Sequence, residues 1–130
     1  MNQPGSAFSL DRLFREQVAL TPDAVALIDD EGSVTFAELD AASDRLAGLI
    51  RASNVPNGAF VGVHMERSAR YVASVLGVLK ANAAVVPLPP SFPAERLREI
   101  LSFAALDAII VDHGVRSDHS IDLAGCKRPF

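Results

Sequence analysis

The spacing of apolar residues changes period several times along this chain, and each change marks an element. Leu10, Leu13, Phe14 and Val18 recur at helical spacing, with Ser9 placed to cap and Pro22 beyond the end, so an amphipathic helix is expected first. Residues 24–28 (AVALI) and 33–36 flank Asp29-Asp30-Glu31-Gly32, where Gly32 can take the positive φ of a tight turn. A hairpin follows from that. At Thr35 the period switches, because Thr35-Phe36-Ala37-Glu38 fits a capping box in which each end satisfies the other's backbone N–H. Phe36, Leu39, Ala42, Leu46, Leu49 and Ile50 then mark one helix face running to about Ala52, and the turn cluster at residues 54–58 (NVPNG) breaks it.

Beyond the turn, strands and helices alternate. Residues 60–65 (FVGVHM) suit a strand buried on both faces of a parallel sheet. A helix from near Ser68 carries Tyr71, Val72, Val75, Leu76, Val78 and Leu79, so it is packed on more than one side. Gly77 inside it costs about 1 kcal/mol against alanine, which points to close packing against a neighbour. Residues 83–88 (AAVVPL) form the next strand, ended by Pro87, Pro89 and Pro90, which lack ladder donors. Pro93 suits the first turn of a further helix, Glu95 its positive end, and Leu97, Ile100, Leu101 and Ala104 its inward stripe. Residues 108–111 (AIIV) close the pattern as a third buried strand.

The fold class is therefore α/β: a helix and a β-hairpin, then alternating helices and strands with right-handed crossovers and a mostly parallel sheet. Residues 1–8 read as a loose lead-in, 9–112 as the folded unit, and 113–130, where no period is sustained, as an irregular tail or a truncated element.

Composition narrows the classes. The 130 residues suit a single domain and can bury roughly two thirds of the surface the unfolded chain exposes. With 49% hydrophobic and 22% charged residues and a net charge of −4, neither disorder nor nucleic-acid binding is favoured. Arginines and lysines are scattered and form no basic stripe. The single cysteine, Cys126, cannot form an internal disulfide, and no Cys/His spacing resembles a metal site, which points to a reducing compartment. Residues 1–10 show no secretory signal and no apolar run spans a bilayer, so a cytoplasmic protein without a membrane partner is expected.

Candidate chemistry is sparse. In a parallel sheet, ligands gather beyond the carboxyl ends of the strands, here His64, Pro87, His113 and their following loops. His64 has no Ser, Cys or carboxylate at recognisable spacing, and His113 and His119 have only the sequence neighbours Asp112 and Asp118. Lys80 at a helix C-terminus meets the helix dipole, a local role. Cys126 has no companion base, and the triplet Asp29, Asp30 and Glu31 reads as a solvated turn rather than a metal loop. None of the glycines falls into a phosphate-binding pattern. The residues themselves thus assign no catalytic, cofactor or metal ligand, and taken alone they describe a small flavodoxin-like domain with an unidentified ligand.

Two stretches say more. Val34-Thr35-Phe36-Ala37-Glu38-Leu39 resembles the L-T-Y-x-E-L motif, and the run from Leu79-Lys80-Ala81-Asn82 through Val86-Pro87-Leu88-Pro89 resembles the L-K-A-G-x-A-Y-V-P-L-D motif, of nonribosomal peptide synthetase adenylation domains. These belong to the AMP-forming acyl- and aminoacyl-adenylating superfamily. Glu66-Arg67-Ser68 and the run from Ser91-Phe92-Pro93-Ala94 to Leu97 are similar to family sequence too. The likeness covers about residues 13–111, the opening part of such a domain. Asn82 replaces the family's glycine, Val85 an aromatic residue and Pro89 an aspartate.

The resemblance implies a reaction in which an amino acid and ATP, with Mg, give an aminoacyl adenylate and pyrophosphate, followed by transfer to a carrier-protein thiol. In the family, the phosphate loop, the ribose-binding acid, the amino-acid pocket and a catalytic lysine come later than these motifs. The expectation is a truncated N-terminal portion of an adenylation domain, inactive alone. The alternatives are half of a split ligase joined to a second chain at the edge of an unfinished sheet, and a non-catalytic interaction module. For the last, the resemblance implies docking of an MbtH-like helper protein around Ala94, and a carrier protein is a further implied partner.

Overall fold

The computed structural model describes residues 9–111; residues 1–8 and 112–130, with Asp112, His113, Asp118, His119 and Cys126, lie outside the described residues. The element order is α1 (Leu10–Leu20), β1 (Val25–Asp29), β2 (Gly32–Thr35), α2 (Phe36–Ala52), β3 (Phe60–His64), α3 (Ala69–Lys80), β4 (Ala84–Pro87), α4 (Ala94–Phe103) and β5 (Leu106–Val111).

Local rules account for most boundaries. Gly32 sits at φ 136°, closing the antiparallel β1–β2 hairpin. The capping box is complete: Glu38 N–H donates to the Thr35 hydroxyl at 3.2 Å, and Thr35 N–H donates to the Glu38 carboxylate at 3.0 Å. Ser68 caps α3 by accepting from Tyr71 N–H. Helix α3 ends in a Schellman motif, in which Asn82 N–H donates to Leu79 O and Ala83 N–H to Val78 O while Asn82 adopts φ 60°. Asparagine is the residue that tolerates this left-handed conformation best after glycine. The replacement of the motif's glycine by Asn82 therefore preserves the turn.

Strands β4, β3 and β5 form a parallel sheet in that order, separate from the hairpin. One face carries Val61, Val63, Ala108 and Ile110 against Ala47 and Ile50 of α2 and Val78 of α3. The opposite face carries Leu106 and Ile109 against Leu88 and Leu97, beneath α4. Each of the buried Val, Leu and Ile side chains among them contributes roughly 1.5–3 kcal/mol. Gly77 lets α3 touch α2: a Cβ there would stand 3.0 Å from Leu46 Cβ and 3.1 Å from the Ser43 carbonyl.

Several details differ from the sequence expectation. Leu49 is 57% exposed, and the buried stripe of α2 is Leu39, Ser43, Ala47 and Ile50. Pro93 is the N-cap of α4 rather than part of its first turn, β3 ends at His64, and β5 begins two residues earlier than its apolar run suggests. Ser9 holds the N-cap position of α1 without a side-chain cap bond.

Candidate functional site

Two clusters hold three of the four polar side chains buried among the described residues, Ser43, Lys80 and His64; the fourth, Ser74, donates to the Arg70 carbonyl within α3. The first cluster is built on α2 and α3. Asp40, Ser43 and Asp44 are three and four residues apart, so they share one helix face. Lys80, the last residue of α3, points its ammonium into that face, 2.6 Å from Asp40 Oδ1, 2.8 Å from Asp44 Oδ1 and 2.8 Å from Ser43 Oγ. The Ser43 hydroxyl passes its own hydrogen to the Asp40 carbonyl. Phe14 of α1 lies with its ring centroid 5.3 Å from the same ammonium and 6.2 Å from the Phe36 ring.

The Lys80 side chain is fully buried, whereas Asp40 and Asp44 retain 29% and 60% exposure. A buried ammonium is tolerated because all of its donors are used and its counter-charges reach water. This corrects the reading of Lys80 as a cation serving its own helix end. It is the post to which three helices are fastened, and Arg51 of α2 adds a bond from its guanidinium to the Lys80 carbonyl.

The second cluster lies beyond the carboxyl ends of β3 and β4. Because α3 packs on one face of the sheet and α4 on the other, the loops after these adjacent strands diverge, and a crevice opens between them. It has a volume of about 570 Å³ and is walled by Met65, Tyr71, Phe92 and three prolines, with Glu66 and Arg67 on its rim. Leu88 N–H donates to Val63 O, and His64 Nδ1 lies 2.7 Å from Leu88 O, so the proline corner is clamped to β3. A carbonyl only accepts, so Nδ1 carries the proton. In the neutral ring Nε2 is then a bare acceptor, and it is buried with no partner among the described residues.

His64 thus holds a backbone turn, and the structure brings no nucleophile or carboxylate to it among the described residues. Ala94, the first residue of α4, is half-buried just past the corner, with the Arg96 guanidinium 4.7 Å above the Phe92 ring. Within the acidic triplet, Asp29 docks the hairpin on the start of α3, its carboxylate accepting from Ala69 N–H at 2.9 Å and from Glu31 N–H at 2.9 Å. The Ala69 bond, then that of Glu31, holds the Asp29 pKa below its ordinary value of 3.8. Among the described residues no group of three or more His, Cys, Asp or Glu could hold a metal ion, and no helix is long and apolar enough to cross a membrane.

Residues 14–128 match the family of AMP-binding enzymes. The chain belongs to that family. It is 44% identical over 94 residues to the beauvericin nonribosomal cyclodepsipeptide synthetase of Beauveria bassiana, covering 72% of this chain and 3% of that one. Over 126 residues it is 38% identical to malpibaldin synthetase of Mortierella alpina, covering 94% of this chain and 2% of the other. Among solved structures, the N-terminal subdomain of Klebsiella oxytoca NpsA superposes with a TM-score of 0.78 at 25% identity, over 94% of this chain and 31% of that one. The nonribosomal peptide synthetase FmoA3 in its α-methyl-L-serine-AMP-bound form gives a TM-score of 0.84 at 28% identity, over 98% of this chain and 14% of that one. The chain thus corresponds to an N-terminal fragment of a nonribosomal peptide synthetase adenylation domain, spanning a few per cent of the synthetases it matches.

Within this family, Asp40 directly follows the first motif, at Val34 to Leu39, and Lys80 lies in the second, so the buried ion pair joins the two. The nucleotide is another matter. The described glycines form no cradle, and Lys80 is committed to carboxylates, so these residues do not fit ATP.

Proposed function

We propose that this chain is the scaffold portion of an amino-acid-adenylating domain and does not catalyse adenylation by itself. The carrying observation is the Lys80 cluster, in which residues of both motif regions are consumed in fastening helices. In the complete domain, ATP with Mg would activate an amino acid as its adenylate and release pyrophosphate, before transfer to a carrier-protein thiol. That chemistry works by in-line positioning and by stabilising charge on the phosphates. The residues described here supply the frame for those groups. Incubation of the chain with ATP, a panel of amino acids and labelled pyrophosphate is expected to show no exchange; robust exchange would overturn the proposal. The setting is cytoplasmic, in keeping with a single cysteine and no metal-ligand spacing.

A second reading concerns partners. The crevice beside Phe92 and the half-buried Ala94 favour this corner as a docking surface for an MbtH-like helper protein, with a carrier protein as a separate partner. Ala94→Glu would set a charge at that contact while leaving the early-helix position suited to an acidic residue. A pull-down in which wild type and Ala94→Glu retain a helper protein equally would remove Ala94 from the contact. A third reading, half of a ligase completed by a second chain, is favoured by a parallel sheet of only three strands among the described residues and predicts co-purification with the missing half.

A further inference from the structure

We infer that Asn57 is a site of spontaneous covalent modification: its side-chain amide is lost through a cyclic imide closed by the Gly58 backbone nitrogen, at a rate set by opening of the Gly58–Asn82 hydrogen bond. The turn between α2 and β3 holds the only Asn-Gly pair of the chain. An asparagine amide is attacked by the nitrogen of the next residue when that residue leaves room for a five-membered ring. Glycine does, since it has no Cβ to crowd the closure. The Gly58 nitrogen bonds to the Asn57 side-chain carbonyl carbon, the bond from that carbon to its NH2 group breaks, and the leaving ammonia takes the Gly58 proton. Water then opens the ring at either carbonyl, giving an aspartate or, where the backbone now runs through the side chain, an isoaspartate. Water is the sole co-reactant, and nothing is oxidised or reduced.

The fold presents this pair to solvent and restrains it at the same time. Asn57 and Gly58 are both exposed, and Gly58 takes φ 79° at the third position of a turn closed by Ala59 N–H on Pro56 O at 3.2 Å. The attacking group is already engaged: Gly58 N–H donates to Asn82 O at 2.8 Å, tying this turn to the one that ends α3. Ring closure needs that nitrogen stripped of its proton, so the bond must open first. A surface turn held by these two backbone bonds opens at lower cost than the core beneath it. Two other asparagines serve as internal controls. Asn54 and Asn82 are also exposed, at φ 60°, but are followed by Val55 and Ala83, whose Cβ atoms hinder closure. An isoaspartate at position 57 lengthens the backbone and draws Gly58 N–H away from Asn82 O, so modification unfastens the two turns from each other.

The test incubates the full chain in mildly alkaline buffer, folded or unfolded in urea, and follows the replacement of NH2 by OH with fragment-ion mass spectrometry. The change is expected at Asn57, as both isomers, and not at Asn54 or Asn82, with the folded chain about tenfold to a thousandfold slower than the unfolded one. Asn82→Val, which strains the accepting turn, should hasten the folded-state reaction about tenfold, and Asn82→Gly should alter it by less than about twofold. Should Asn82→Val lose its fold by circular dichroism, Gly58 amide exchange in the wild type carries the same comparison. Its slowing relative to an unstructured amide should match the slowing of the modification within about tenfold, and a larger mismatch would overturn the inference. Asn57→Gln keeps an amide in the turn but needs a larger ring, and should abolish the change. Equal rates in the folded and unfolded chains, or reaction at Asn54 or Asn82 ahead of Asn57, would overturn it. So would a folded chain more than about a thousandfold slower, since modification would then await global unfolding.

Discussion

The two faces of the sheet are held by different physics. On one side, α2 and α3 are fixed by a buried ammonium with four oxygen partners, by a glycine that brings backbones into contact, and by a continuous apolar layer. On the other, α4 is held by Leu88, Leu97, Leu106 and Ile109, while Phe103 at its end is 91% exposed and His64 Nε2 has no described partner. The first face is specified by directional contacts that admit one arrangement. The second is specified by volume, which side chains can refill. A finished interface and a more tolerant one thus share a single sheet.

Substitutions should expose that difference. The largest effect is expected at Lys80: Lys80→Ala leaves a cavity and two carboxylates without their counter-ion, and should cost about 3 kcal/mol in urea unfolding. A loss under about 1 kcal/mol would mean that the ion pair is ornamental and that the two faces are alike.

Next come the glycines. At Gly77 a Cβ meets Leu46 Cβ and a backbone carbonyl, neither of which can swing away, so Gly77→Ala should cost about 1–2 kcal/mol despite its better helix propensity. At Gly62 the nearest atoms are the ends of Leu88 and Leu106, at 2.8 and 3.0 Å. They can rotate, and Gly62→Ala should cost about 1 kcal/mol or less. Reversal of that order in thermal unfolding would break the contrast.

Asn82 sharpens the same side: Asn82→Val should cost about 1–2 kcal/mol because a β-branched residue resists φ 60°, while Asn82→Gly should change stability by under about 0.5 kcal/mol.

The smallest effect is on acidity. Asp29 is held below its ordinary value of 3.8, chiefly by the Ala69 N–H, and Glu38 below 4.5 by the Thr35 N–H and then its hydroxyl. A carboxylate with a depressed folded-state pKa stabilises the fold above its unfolded pKa, and that contribution fades as pH falls through the folded value. Melting temperature should therefore decline from about pH 4.5 downward, and the double variant Asp29→Asn, Glu38→Gln should show a shallower decline.

How much of this is legible in the sequence depends on how far apart the partners lie. The capping box, the hairpin glycine and the alternation of strands and helices depend on residues within a few positions of each other, and the structure reproduces them. Leu49 is misplaced by an apolar stripe drawn from hydrophobic residues only. Ser43 belongs on the buried side because only a small residue with a hydroxyl admits both Gly77 and the Lys80 ammonium. Lys80 itself finds its acceptors 36 to 40 residues back in the chain, a distance no local period encodes.

Order of elements, cap chemistry and family motifs were therefore decided by the chain's own short-range pattern, since backbone donors and apolar spacing act over one or two turns. Which face each helix covers, which polar side chains are buried, and in what order the strands pair were decided only on folding, because they depend on residues that meet after the crossovers close.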